Sequence, residues 1–411
     1  MNRQWLIVNS ESISKYKNEA EQELFSILDY WMKYAVDDLN GGFIGKINNN
    51  NKKDFTAPKG SVLHARILWT FSAAFNHYKK EKYFSTATRA FKYITQHFID
   101  KDYGGVFWTV DANGKMRDSK KQIYALAFCI YGLSEYYAAS KNEQALHLAI
   151  ELYNDIELHS FDTINKGYFE AFTRDWKEAD DLRLSAKDAN EKKTMNTHLH
   201  IIEAYANLYK VNKAEAVRNK IIELFELFDA YFISKKTFHL KLFFDEAWKE
   251  KPDVISYGHN IEAAWLLQQC AEIIQHEEWM KIYKNHAIKI ADAAIEGLDN
   301  NGGMWYECPH PLKGSNLQFT KVVKEKHWWV QAEAMVGFMN AYQLTKNEKY
   351  LQHSIDIWQF IKKHIIDKKN GEWFWGVKED YSIMPNEDKV GLWKCPYHNS
   401  RACLQIINRI T

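Results

Sequence analysis

Two kinds of apolar pattern alternate along the chain. In one, hydrophobic positions return every three to four residues with Lys, Glu and Asp between them, as in the stripe Leu24, Ile27, Leu28, Trp31 and Ala35. That spacing predicts an amphipathic helix with one wet face, suited to an outer wall. In the other, apolar residues run almost all the way round, at 61–75, 122–137, 197–208, 258–271, 328–342 and 397–407. A helix without a polar face has to be surrounded by other helices. The alternation predicts six helical hairpins closed into a ring, with an outer set of helices around an inner set.

A repeated mark supports the count. Glycine and an aromatic follow acidic or amide residues at Gly41-Gly42-Phe43, Gly104-Gly105-Val106-Phe107, Lys166-Gly167-Tyr168, Gly302-Gly303-Met304-Trp305 and Asn370-Gly371-Glu372-Trp373. With a glycine-free copy near Lys236-Thr237-Phe238 the interval is about 62 to 70 residues, one helix pair plus its loops. Inner-to-outer connections need only a few polar residues, as at 76–81 or 345–348. Outer-to-inner connections take roughly 15 to 30 residues, well beyond ordinary helix links, and hold the mark plus an aromatic-rich segment suited to a short β-hairpin. All long loops therefore share one face. The inner helices begin there, and their unpaired N–H groups converge on one cavity that favours a developing anion.

Titratable and aromatic groups crowd the first turns of these inner helices. In chain order they are Arg66; Tyr124; Asn196, His198 and His200; His259, Glu262 and Trp265; Trp328, Trp329 and Glu333; and His398, preceded by Trp393 and followed by Arg401. Asn196 and His200, four apart, share a helix face, whereas His198 points elsewhere and reads as structural. Burying such groups costs free energy unless they are paired or solvated, which implies a wet central pocket. Aromatic rings cover the apolar faces of a pyranose, and imidazoles move protons near neutral pH, so the set points to a sugar site with proton transfer. Trp69 and Trp108 read as core packing, and the glycine marks as tight turns.

Composition narrows the class. The 411 residues are 46% hydrophobic, with six prolines and no low-complexity linker, so a single domain over 1–411 is expected. The 54 basic and 53 acidic residues leave a net charge of +1, which speaks against nucleic-acid and anionic-membrane partners. Five scattered cysteines without a C-x-x-C pair indicate neither a disulfide framework nor a zinc ribbon. The apolar stretch Trp5 to Val8 is too short for a signal-peptide core, and a cytoplasmic location is expected. No metal is expected either: His198-X-His200 would share a face on a strand but not on a helix, and H-E-x-x-H is absent. Asp188, Glu262 and Glu333 offer the carboxylate pair of a glycoside hydrolase, a rival on such rings, but hydrolysis has no use for three histidines. A catalytically silent scaffold would leave the buried ionisable groups unexplained.

Several ordered segments carry a family resemblance. Ala57-Pro58-Lys59-Gly60 through Ala65-Arg66-Ile67-Leu68-Trp69, Met195-Asn196-Thr197-His198-Leu199-His200, Gly258-His259-Asn260-Ile261-Glu262, Trp328-Trp329-Val330-Gln331-Ala332-Glu333-Ala334 and Trp393-Lys394-Cys395-Pro396-Tyr397-His398-Asn399 resemble the N-acylglucosamine 2-epimerase superfamily. Among its members the chain is most similar to the cellobiose 2-epimerases, over nearly its whole length. The resemblance implies an all-α (α/α)6 barrel of six helical hairpins, with short β-hairpins in the long loops on the active-site face.

It further implies inversion at C2 of the reducing-end glucose of β-1,4-linked disaccharides, cellobiose to glucosyl-mannose or lactose to epilactose, through an enediolate and without metal or other cofactor. By resemblance His259 and His398 are the acid/base pair, and His200 assists at the ring oxygen or the O1 end. Arg66 and Tyr124 would bind the developing oxyanion, Glu262 and Glu333 would orient histidines and hydroxyls, and Trp265, Trp328, Trp329 and Trp393 would stack on sugar. Asp188 and Asn196 would contact substrate. The implied partner is a small sugar and the implied assembly a monomer or weak homodimer. Mannose or glucose 2-epimerisation, or aldose–ketose isomerisation, uses the same histidines; the choice depends on the loops at 183–193 and 304–326.

Overall fold

The computed structural model describes residues 10–251, 254–309 and 322–410. The expected feature at 5–8 and the middle of the 304–326 loop lie outside the described residues. Twelve helices follow in pairs: α1 (Ser10–Tyr30) and α2 (Ser61–Tyr78), α3 (Glu81–Tyr93) and α4 (Ile123–Ser140), α5 (Glu143–His159) and α6 (Met195–Asn212), α7 (Glu215–Leu227) and α8 (Tyr257–Ile274), α9 (Glu277–Ala294) and α10 (Trp328–Thr345), α11 (Glu348–Phe360) and α12 (Tyr397–Arg409). The even-numbered helices touch one another in order, α2 to α4 and onward to α12, and α12 returns to α2, which closes the inner ring of an (α/α)6 barrel. The odd-numbered helices form the outer wall. Leu24, Ile27, Leu28, Trp31 and Ala35 on the α1 side are fully buried, as their spacing predicts. The α1 wall segment is sewn to the last repeat by polar contacts: Tyr16 Oη lies 3.0 Å from Ser354 Oγ, and the indole N–H groups of Trp358 and Trp373 donate to Glu19 and Glu23 at 2.8 Å.

All six apolar stretches are inner helices, and each helix ends two to four residues beyond the expected boundary. The first five run on to a residue with left-handed backbone, at Lys79, Lys141, Lys213, Gln275 and Lys346, with φ of 51° to 58°. That residue returns its N–H to the last turn and leaves a single residue before the next outer helix. The terminal turns are amphipathic, so an all-apolar criterion stops short of them.

The loops repeat as closely as the helices. An isolated antiparallel bridge follows every outer helix: Val36–Phe43, Ile99–Val106, Phe161–Tyr168, Ile233–Leu240, Leu298–Met304 and Ile366–Trp373. The turn inside it needs positive φ, met by Gly104 at 76° and Gly302 at 91°, and in the glycine-free copy by Phe238 at 60°. Hairpins form within loops, Lys46–Asn48 with Lys53–Asp54 and Thr109–Val110 with Met116–Asp118, and single antiparallel bridges close the corresponding turns at Phe172–Glu178, Phe244–Glu250, Glu307–Val323 and Val377–Ile383. The other strand pairs join consecutive loops, as Lys121–Gln122 with Ala171–Phe172 and Lys193–Thr194 with Phe243–Phe244, and Lys46–Asn48 meets Asp388–Val390 to close the circle.

Buried ion pairs lock the same turns. Lys59 meets Asp37, Lys121 meets Asp100 and Lys193 meets Asp162 at 2.8 Å, Lys326 meets Asp299 at 3.0 Å, and Lys389 meets Asp367 at 2.6 Å. In the fourth copy Ser234 and Ile255 stand at the matching places, so both charges are gone together. A lone buried charge would cost several kcal/mol, about 3–5, whereas a matched apolar replacement costs little. A second device anchors the residue after the turn to the fourth position of the inner helix. Phe43 N–H donates to His64 Nε2 at 3.2 Å, Tyr168 N–H to His198 Nε2 at 2.9 Å, Leu240 N–H to Asn260 Oδ1 at 2.9 Å and Met304 N–H to Gln331 Oε1 at 2.8 Å. Among the described residues no helix is long and apolar enough to cross a membrane.

Candidate active site

The inner helices open onto a cavity of about 420 Å³ at the long-loop face. All six contribute: Arg66 from the second turn of α2, Tyr124 from the first of α4, Asn196 and His200 from α6, His259 and Glu262 from α8, Trp328 and Trp329 from α10, and His398 from α12. Asp188 and Trp393 join them from the loops. The helix starts place N–H dipoles around the floor, a field that favours negative charge.

Histidines from α8 and α12 flank one tryptophan. The Trp329 ring centroid lies 4.9 Å from that of His259 and 5.8 Å from that of His398. Gly258 makes this approach possible, since a Cβ there would stand 2.6 Å from the Trp329 ring. His398 Nδ1 pairs with Glu333 Oε1 at 2.7 Å, so its Nε2 is left for the cavity. His200 Nδ1 pairs with Glu203 Oε2 at 2.9 Å in the same manner. His259 Nδ1 is buried and finds no hydrogen-bond partner among the described residues. On the opposite side Arg66 Nη2 donates to Tyr124 Oη at 2.7 Å, which leaves the phenol proton to donate onward. The guanidinium itself lies over the faces of Phe128 at 4.1 Å and Tyr397 at 5.1 Å.

Beneath the imidazoles runs a buried ionic chain. Arg401 Nη2 donates to Glu262 Oε1 and to Glu333 Oε1, both at 2.7 Å, and Nη1 donates to Glu203 Oε1 and to Tyr397 Oη. Tyr397 Oη donates in turn to Glu203 Oε1 at 2.6 Å. Glu262, Glu333 and His398 each bring a ligand atom within 4.8 Å of the others. Two of those three groups already accept from the Arg401 guanidinium, which supplies a fixed positive charge to both.

Burial dominates the proton affinities. It pushes the His259 imidazole down to about 3, with His200 adding to the push, and holds His398 well below its ordinary value, with Arg66 and Arg401 acting in the same direction. Both rings are neutral bases near pH 7. Burial raises the carboxyl of Glu262 to about 7, with Glu333 adding like charge, and raises Glu333 as well. At Glu203 burial also raises, but Arg401 and His200 outweigh it and keep the carboxylate at about 2, ionised.

Two predicted residues do not line the cavity. Trp265 is 1% exposed, donates its indole N–H to Glu333 Oε2 at 3.1 Å and lies under Arg401, two turns down α8 and too deep to stack on a ligand. Glu333 is equally buried and reaches the cavity only through His398. Asp188 Oδ2 is tied to Ser185 N and Oγ at 2.8 and 2.9 Å, so it shapes its own loop as well as the wall. Asn196 Oδ1 is buried without a partner among the described residues. Trp69 packs on Tyr131, as expected for core, whereas Trp108 meets Trp393 at 5.6 Å and belongs to the mouth.

Other lining residues were not anticipated: Lys187, Tyr306, His327, Trp375 and Glu387. A signal for two of them exists in the repeat, because Trp108, Tyr306 and Trp375 occupy the same place, three residues after Gly105, Gly303 and Glu372. Glu203 also escaped notice, though the pair His200-X-X-Glu203 has the i, i+3 spacing that brings side chains together on a helix.

Comparison with known proteins identifies the family. A cellobiose 2-epimerase of Bacteroides fragilis is 47% identical over 392 residues, covering 95% of this chain and 98% of that protein. One from Ruminococcus albus is 40% identical over 95% of this chain and 98% of its own length. The solved cellobiose 2-epimerase of Bacillus thermoamylovorans superposes with a TM-score of 0.89 at 38% identity, covering 96% of this chain and all of the other. The model of the N-acylglucosamine 2-epimerase (GlcNAc 2-epimerase) family matches residues 42–402, and the chain belongs to that family.

Proposed function

We propose that this chain inverts C2 of the reducing-end sugar of cellobiose and related β-1,4-linked disaccharides, and that His259 and His398 perform the proton transfers. The observation that carries the reading is the pair of neutral imidazoles, from α8 and α12, flanking Trp329 on one cavity. In the ring-opened aldehyde one histidine takes the proton from C2. The C–H electron pair becomes the C1=C2 bond, and the carbonyl π pair moves to O1 to give the enediolate. The other histidine, having taken up a proton from water at the cavity mouth, delivers it to the opposite face of C2 as the O1 pair re-forms the carbonyl, and the first histidine returns its proton to water. Tyr124, primed by Arg66, donates to O1, and a well-aimed donor of this kind contributes about 3 kcal/mol in the transition state. His200 serves ring opening at O5 or O1. Trp329 and Trp393 cover the apolar sugar face.

Resident metal and nucleotide have no part in this reading, because the Arg401 cation fills the acidic floor and the electron pairs close on substrate and imidazole alone. The five free cysteines fit a reducing, cytoplasmic setting. The test is incubation in heavy water with cellobiose, lactose, mannose and N-acetylglucosamine side by side. Deuterium at C2 of recovered cellobiose and its mannose epimer is expected. Exchange confined to a monosaccharide would move the assignment to a mannose or glucose enzyme, and released glucose with C2 untouched would mean hydrolysis.

A further inference from the structure

The second carboxylate contact of the histidines has no place in the reading above. Glu203 is 5% exposed and lies one turn beyond His200 on α6, below the cavity floor. One of its oxygens accepts from His200 Nδ1 at 2.9 Å; the other accepts from Tyr397 Oη at 2.6 Å and from Arg401. Arg401 continues to Glu333, and Glu333 to His398 Nδ1, each link at 2.7 Å. The path from His200 to His398 is therefore unbroken: imidazole, carboxylate, guanidinium, carboxylate, imidazole. It joins helices that are far apart in sequence, α6, α10 and α12, and every side chain along it is buried. A carboxylate on Nδ1 fixes a neutral imidazole as the Nδ1–H tautomer and turns a bare Nε2 to the cavity.

We infer that Glu203 is a positioning residue of the reaction, holding His200 in one tautomer and tying it through Arg401 to the Glu333–His398 pair. Ring opening and proton transfer at C2 are thereby set by one buried chain. The inference rests on the roles proposed above for His200 and His398.

Two variants test it, Glu203→Gln and Tyr397→Phe, each read by steady-state epimerisation, by thermal unfolding and by ¹⁵N spectra of histidine side chains without substrate. The E203Q side chain offers one amide oxygen where two carboxylate oxygens are needed, so it cannot serve His200 and Arg401 at once. The expected result for E203Q is kcat lower by about ten- to a hundredfold with KM within about threefold, and a displaced His200 Nδ1–H signal. A smaller displacement at His398 is expected through Arg401. Y397F removes one donor and keeps the ring, so a kcat loss of about threefold and a shift of the same His200 signal are expected even if E203Q does not fold. Wild-type kcat in a folded E203Q variant overturns the inference. So does an unchanged His200 signal in either variant, whatever happens to stability. Wild-type protein that exchanges no C2 proton would instead sink the epimerase reading itself, and the substrate-free spectra would still report whether Glu203 fixes the His200 tautomer.

Discussion

His198 and His200 stand two residues apart on α6 and serve different ends. Both hold a carbonyl or carboxylate oxygen at Nδ1, Thr194 O at 2.7 Å for His198 and Glu203 for His200. The other nitrogen decides the role. In His198 it accepts the Tyr168 amide, and the same job is done by His64, Asn260 and Gln331 in other repeats, so nothing in it requires an acid or base. In His200 it is left for a cavity that His259 and His398 also line. The lesson is that a helix in a ring has two useful faces at its N-terminus: one turned sideways to the loop of its own hairpin, the other inward to the substrate.

The inward histidines give the largest expected effect. His259→Ala or His398→Ala should lower C2 exchange by at least about a thousandfold in heavy water, since each removes an acid/base group that acts in every turnover. Both variants should keep their far-ultraviolet spectra. His259→Ala should also keep its melting temperature, since that Nδ1 holds no partner among the described residues, whereas His398→Ala should melt lower because Glu333 loses its imidazole partner. A variant that keeps a tenth of the activity would remove that histidine from the proton-transfer pair.

This division is partly legible in the amino-acid sequence. Two residues apart on a helix, His198 and His200 point in different directions, and the all-apolar stretches mark every inner helix. What stayed hidden has physical reasons. The strand pairs that ring the mouth are two or three residues long, too short to show a period, and most pair with the next loop rather than within their own. Glu203 lies two turns below the start of α6, beyond the first turns whose titratable groups imply a wet pocket, and Arg401, visible in the sequence one turn into α12, shows its role only with its carboxylate partners in view. Trp265 shows the converse: an indole at the right stretch of sequence, but two turns too deep.

A smaller effect is expected where the backbone rather than an imidazole is changed. Gly258→Ala puts a methyl group 2.6 Å from the Trp329 ring, so the indole that separates the two histidines has to shift. Activity should fall by about tenfold, from misplacement of the sugar rather than loss of chemistry, with KM rising as well as kcat falling. Unaltered kinetics would show that Trp329 does not set the distance between the imidazoles and the sugar.

The smallest effect on activity, and the sharpest test of the contrast, belongs to His198→Gln. Gln331 already performs the anchoring role in another repeat, accepting from Met304 N and donating to Met304 O and His327 O. Turnover of the variant should therefore stay within about twofold of wild type. Stability should change with pH in a definite sense. Burial pushes His198 down to about 3, against 6.5 for the unfolded chain. Between those values the unfolded state binds a proton that the native state refuses, so this residue withdraws stability as pH falls below about 6.5, at about 1.4 kcal/mol per pH unit. The variant lacks that contribution. The advantage of wild type over H198Q in urea unfolding should accordingly shrink by about 2 kcal/mol between pH 6.5 and pH 5, while activity at pH 7 barely moves. A gap that stays constant with pH would mean that His198 carries its proton in the native state, and a large loss of turnover would erase the distinction between the sideways and inward faces of α6.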